Sequence, residues 1–144
     1  MNTGTKNILL IDDDRDFVLS AKTFLEGRGY AVDTAHNGTD GWEKIEAGIT
    51  DLIVLDIMMD YDAEGFNLAY KLREDSVRKK IPLFIVSGFS QHLREKMDKF
   101  AFVLGQDWPA DAYFEKPVDL RDLAKSIDRF LLKTGGEVAL GSAN

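Results

Sequence analysis

Short apolar runs alternate with segments of helical period along the chain, and this alternation restricts the available architectures more than any other feature. Ile8 to Ile11, Ala31 to Ala35, Leu52 to Leu55, Leu83 to Val86 and Ala112 to Phe114 are bounded by polar or turn residues and are predicted as strands. The buried ones read as continuous apolar runs; the second alternates, as suits an edge. Phe17, Ala21, Phe24 and Leu25 recur at helical spacing, and Gly27 and Gly29 close that helix. Trp42 and Ile45 mark a second helix, Phe66, Ala69 and Leu72 a third, and Leu93, Met97 and Phe100 a fourth. In the fifth, Asp119 can cap the start and Asp122 occupies the first turn. Leu120, Leu123, Ile127, Phe130 and Leu131 form its stripe before Gly135 and Gly136. Five strands in strict alternation with five helices predict an α/β fold with a doubly wound parallel sheet, whose ligand crevice opens at the strands' carboxyl ends.

At 144 residues and 44% hydrophobic content, the chain can bury one core. Residues 7–133 are expected to form that domain, with 1–6 as a lead-in and 134–144 as a disordered tail. The formal charge of -7 comes without a Lys/Arg stripe, which argues against nucleic acid as a direct partner. Cysteine is absent, which excludes disulfides, thiolate chemistry and Cys-type zinc sites. The apolar run at Ile8 stops at Asp12, too short for a signal-peptide core. No apolar stretch approaches membrane length, so no membrane partner and a cytoplasmic location are expected.

Asp12, Asp13 and Asp14 follow the first strand, Asp56 the third, Ser87 the fourth and Lys116 the fifth, so the predicted fold converges them on one site. Carboxylates crowded there raise one another's pKa unless a cation of high charge density sits among them, and an all-oxygen set points to magnesium. A carboxylate beside such an ion, with a hydroxyl and an ammonium opposite, suits phosphoryl transfer, whose transition state is stabilised by positioning and by cations. Asp56 is the candidate nucleophile.

The segments Leu10-Ile11-Asp12-Asp13-Asp14, Leu55-Asp56-Ile57-Met58-Met59, Val86-Ser87-Gly88 and Glu115-Lys116-Pro117 together resemble the receiver domain of two-component response regulators, over Asn7 to about Lys133. The resemblance implies a flavodoxin-like sheet of strand order 2-1-3-4-5, an order also given for a chemotaxis member of this family. It implies that Asp13, Asp56 and the backbone carbonyl of Met58 hold magnesium, or manganese as a substitute, with Asp12 helping through water. Asp56 would accept a phosphoryl group from a histidine kinase or histidine phosphotransfer protein. Lys116 would pair with the phosphoryl oxygens, and Ser87 would bond them and leave room for Tyr113 to turn inward. The Lys116-Pro117 bond is expected to be cis. The signal would pass through the face of the fourth helix, fifth strand and fifth helix to a protein target, with a homodimer on phosphorylation as a further expectation. No catalytic turnover is expected beyond self-phosphorylation and self-dephosphorylation. Nothing resembling an output domain follows the fifth helix, so the chain is expected to be a stand-alone receiver, with a fragment of a longer protein as the alternative.

Several positions depart from the family pattern. Met58-Met59-Asp60 replaces the common Met-Met-Pro, and the loop Tyr61 to Gly65 is one residue longer. Met58 and Phe89 flank the path of a hydrolytic water, which implies slow loss of the phosphoryl group. The stretch between Ser87 and Lys116 is also long and includes Phe100, Phe102, Val103, Leu104 and Trp108, as either a partner site or an inward-folded helix extension. Calcium loops at Asp12–Asp16 or Asp60–Gly65 lack their closing acid, since Thr23 and Lys71 stand there. His36 and His92 have no partner at ligand or triad spacing and receive no role. Two rival functions stay open: a receiver fold used for docking without phosphorylation, and a haloacid-dehalogenase-type phosphatase using Asp12. The latter expects Gly-Thr where Arg15-Asp16 stands.

Overall fold

The computed structural model describes residues 4–57, 59, 64–88 and 110–133. Their elements run β1 (Asn7–Ile11), α1 (Arg15–Gly27), β2 (Ala31–Ala35), α2 (Gly38–Glu46), β3 (Leu52–Leu55), α3 (Glu64–Glu74), β4 (Leu83–Gly88), β5 (Ala112–Lys116) and a C-terminal helix (Leu120–Lys133). The fourth predicted helix, on Leu93, Met97 and Phe100, lies outside the described residues. So do Phe102, Val103, Leu104 and Trp108.

The strands form one parallel sheet in the order β2-β1-β3-β4-β5. The alternation of side chains along a strand splits each apolar run between two cores. Ile8 and Leu10 of β1, Leu52 and Val54 of β3, and Phe84 and Val86 of β4 pack with Ala21 and Leu25 of α1 and with Leu123, Ala124, Ile127 and Leu131 of the C-terminal helix. Leu9, Ile11, Ile53, Leu55, Leu83 and Ile85 belong instead to the core shared with Ile45 of α2 and Leu68, Ala69 and Leu72 of α3. Burying a side chain of this size on either face contributes ~1.5–3 kcal/mol, which is why the central strands are continuously apolar. Phe84 is fully buried, and its ring meets Phe130 edge-on at 5.1 Å. The alternating β2, with Asp33 exposed, is indeed an edge strand.

Two strands run further than their apolar runs. Parallel register pairs Ser87 with Glu115 and Gly88 with Lys116, so β4 ends at Gly88 and β5 at Lys116 rather than at Val86 and Phe114. Ladder pairing uses backbone groups and does not require apolar side chains. The backbones of Ser87 and Lys116 are therefore held by the sheet itself.

Side-chain caps fix where the helices begin. Asp14 accepts the Phe17 N–H at 3.1 Å to start α1, Asn37 accepts the Asp40 N–H at 2.8 Å to start α2, and Asp119 accepts the Arg121 N–H at 2.8 Å. Helix α1 runs through Gly27, and the turn falls at Gly29, whose φ of 99° is left-handed. None of the described helices is long and apolar enough to cross a membrane.

Candidate functional site

Backbone bonds between neighbouring strands bring the candidate carboxylates together. The Asp12 N–H donates to the Ala35 carbonyl at 3.0 Å, and the Asp56 N–H donates to the Ile11 carbonyl at 2.9 Å. Two aspartates thus leave adjacent strand ends at one level, and both are buried, at 2% and 4% exposure. Asp12 Oδ1 accepts the Asp14 N–H at 2.9 Å. Asp14 uses its own carboxylate to cap α1, a structural task the sequence reading did not give it.

Lys116 comes in from the end of β5, where the Lys116-Pro117 bond is cis. Its Nζ lies 2.8 Å from Asp12 Oδ2, 3.5 Å from Asp56 Oδ2 and 3.9 Å from Asp14 Oδ2. The Phe17 ring of α1 lies under the ammonium, 4.8 Å from Nζ to the centroid, and favours that cation by its quadrupole. One ammonium therefore serves several carboxylates.

The charge balance is unfavourable for the acids. Burial and the neighbouring Asp56 charge push Asp12 up to about 7, against the opposing pull of Lys116 and the Asp14 N–H. Burial alone would lower the Lys116 pKa, but the Asp12, Asp56 and Asp14 carboxylates outweigh it and raise the value. Asp12 Oδ2 is buried and has the Lys116 ammonium at 2.8 Å as its ion-pair partner, with no further donor among the described residues. Asp12, Asp13 and Asp56 each present an oxygen within 4.8 Å of the others. A small hard cation with oxygen ligands at 2.0–2.1 Å suits such a set. It would relieve the repulsion among the clustered carboxylates, so the residues present fit magnesium.

The structure thus gathers Asp12, Asp13, Asp56 and Lys116 at one place. Tyr113 is half-buried against the core on the α2 and α3 side of the sheet. Met58, Phe89, His92, the Ser87 side chain and residues 60–63 lie outside the described residues. Two residues at the site carried no signal in the sequence reading. A Cβ on Gly65 would stand 2.3 Å from Ile57 Cα and 2.7 Å from the Asp56 carbonyl oxygen, so α3 packs backbone to backbone against the segment carrying Asp56. His36 follows β2, and its Nδ1 lies 3.2 Å from the Asp12 carbonyl oxygen.

Comparison with known proteins agrees with this geometry. The model of the response regulator receiver domain family matches residues 8–128. The chain belongs to that family. Among curated relatives of this receiver, the response regulator ArlR of Staphylococcus aureus is 30% identical over 124 residues, covering 86% of this chain and 52% of the relative. The receiver therefore spans about half the length of the curated relatives it matches. Among solved structures, a CheY-like receiver domain protein from Methanospirillum hungatei is 33% identical with a TM-score of 0.76, covering 93% of this chain and 99% of the other. The response regulator TrrA of Thermotoga maritima, solved in complex with Mg2+ and BeF, is 27% identical with a TM-score of 0.71, covering 87% and 98%.

Proposed function

We propose that this receiver accepts a phosphoryl group on Asp56 in a magnesium-dependent reaction and so switches its contacts with other proteins. The observation that carries the reading is the burial of Asp56 beside Asp12, with the Lys116 ammonium 3.5 Å from one and 2.8 Å from the other. A buried carboxylate beside a fixed cation is poised to receive an electron-poor phosphorus.

In this reading an Asp56 carboxylate oxygen attacks the phosphorus of a phosphohistidine in line. The new O–P bond forms as the N–P bond breaks, and its electron pair returns to the imidazole. Asp13, Asp56 and the Met58 carbonyl would hold magnesium, or manganese in its place, with Asp12 helping through water, and the ion would supply positive charge to the transferring oxygens when bound. Lys116 pairs with a phosphoryl oxygen, and its place at the end of β5 fixes the side from which it does so. The Ser87 hydroxyl would bond another oxygen, and Tyr113 would turn toward the space Ser87 leaves.

The donor would be a histidine kinase or a histidine phosphotransfer protein in the cytoplasm. The readout would run through β5 and the C-terminal helix, with the segment before them, to a protein target or a second copy. This is signalling without substrate turnover. Incubation with acetyl phosphate and magnesium, followed by peptide mapping, should place one phosphoryl group on the peptide carrying Asp56 and none on an Asp56→Asn variant. Equal labelling of Asp56→Asn would sink the assignment. Label on Asp12 would favour the dehalogenase-type reading, and a chain never labelled would favour docking alone.

A further inference from the structure

The peptide that joins Asp12 to Asp13 is held by a side chain from the neighbouring strand. His36 is the first residue after β2, which pairs with β1, so its ring meets the turn that carries the acids. Its Nδ1 lies 3.2 Å from the Asp12 carbonyl oxygen, and a carbonyl can only accept, so Nδ1 carries the hydrogen. On the other side of the ring, Arg15 Nη1 stands 3.5 Å from Nε2, and a guanidinium can only donate. The contacts thus run from Arg15 through the imidazole to the Asp12 carbonyl. The remaining polar atoms of Asp12 are also committed: the N–H to Ala35 at 3.0 Å and Oδ1 to the Asp14 N–H at 2.9 Å. Oδ2 faces the Lys116 ammonium at 2.8 Å.

We infer that His36 is a positioning residue of the cation site, fixing the Asp12–Asp13 peptide through Nδ1–H and with it the directions in which both carboxylates leave the turn. The inference rests on the magnesium-dependent reading above. Crowded carboxylates gain by spreading apart, and the Asp12–Asp13 peptide lies beyond the last ladder pair of β1, Ile11 with Ala35. A bond to the peptide itself opposes that relaxation without occupying any oxygen a cation needs. Neighbours of this kind, which orient ligands without touching the ion, set metal affinity as well as fold.

Magnesium titration calorimetry on the wild-type chain, His36→Ala and His36→Asn tests the inference, with urea unfolding of each and imidazole nitrogen-15 shifts of the wild type. Alanine removes the donor; asparagine places an amide N–H where Nδ1–H stood. Expected results are magnesium binding weakened about tenfold in His36→Ala, most of that loss recovered in His36→Asn, and a proton on Nδ1. In acetyl phosphate labelling, the half-saturating magnesium concentration should rise more than the saturated rate falls. Should His36→Ala fail to fold, His36→Asn and the nitrogen shifts carry the test. Wild-type affinity in His36→Ala, no recovery in His36→Asn, or an Nδ1 without a proton would each overturn the inference while leaving the function intact. A wild-type chain that bound no magnesium would remove the metal reading and the inference together.

Discussion

At the amino end of the sheet, Asp111 accepts the Leu83 N–H at 2.8 Å and Arg73 Nη2 at 2.9 Å, whereas at the carboxyl end Asp12 shares one ammonium with Asp56 and Asp14. The amino-end arrangement extends outward. Arg73 Nη1 also donates to the carbonyls of Lys79 and Ile81, and Asp51 exchanges bonds with the Asn7 backbone at 2.7 and 2.8 Å. Carboxylates there are matched with donors, and they tie strand starts to the connections that precede them. At the other end Asp12 and Asp56 are buried against one another, and Lys116 is the cation they share among the described residues. The same residue type thus adds stability at one end and costs it at the other, where the cost keeps oxygens available to a cation.

The sharpest way to break this division is at Gly65, which belongs to the functional end yet acts by packing. The contact at 2.3 Å from its notional Cβ to Ile57 Cα is with backbone, which cannot move aside cheaply. Gly65→Ala should lose about 3 kcal/mol in urea unfolding, at the upper end of overpacking costs. Its folded fraction should also label poorly with acetyl phosphate, because relief of the clash moves Asp56. A variant of wild-type stability would mean that α3 does not press on the acceptor segment.

Asp111→Ala probes the amino end alone. It leaves the Leu83 N–H and Arg73 without their shared acceptor, and should cost about 2 kcal/mol in equilibrium unfolding. The labelling rate of its folded fraction should match the wild type, since Asp111 lies at the opposite end of the sheet. Slowed labelling at full folding would show that the two ends are coupled.

How much of this was legible in the sequence follows from how local each signal is. Leu52–Leu55 and Leu83–Val86 announce buried strands because both faces must be apolar, and the alternating Ala31–Ala35 announces an edge. Asp12, Asp56 and Lys116 are legible because strand ends in such a fold meet. The roles of His36 and Gly65 depend on distances across the sheet and on a helix approach, which no spacing along the chain encodes. Gly65 closes the predicted loop Tyr61 to Gly65, ahead of Phe66, Ala69 and Leu72, so no helical pattern marked its close approach. Asp14 follows the first strand with the other acids, but its Oδ1 caps the helix start while its Oδ2 stays 3.9 Å from Lys116 Nζ. Asp111 and Arg73 meet across 38 positions, so that pair could not be read from the sequence either.

The most direct test of the contrast is the melting temperature of Asp12→Asn against the wild type, in chelator and in magnesium. An ordinary carboxyl loses its proton near pH ~4, whereas Asp12 in the folded chain holds its proton up to about 7. The folded state therefore binds more protons across that interval, and cation-free stability falls as pH rises through it and stays reduced above it. In chelator above that range, Asp12→Asn should melt higher than the wild type by the equivalent of about 1–2 kcal/mol. Magnesium should raise the wild-type melting temperature by more than it raises the variant's. A variant that melts lower in chelator, with a magnesium response equal to the wild type's, would contradict the account.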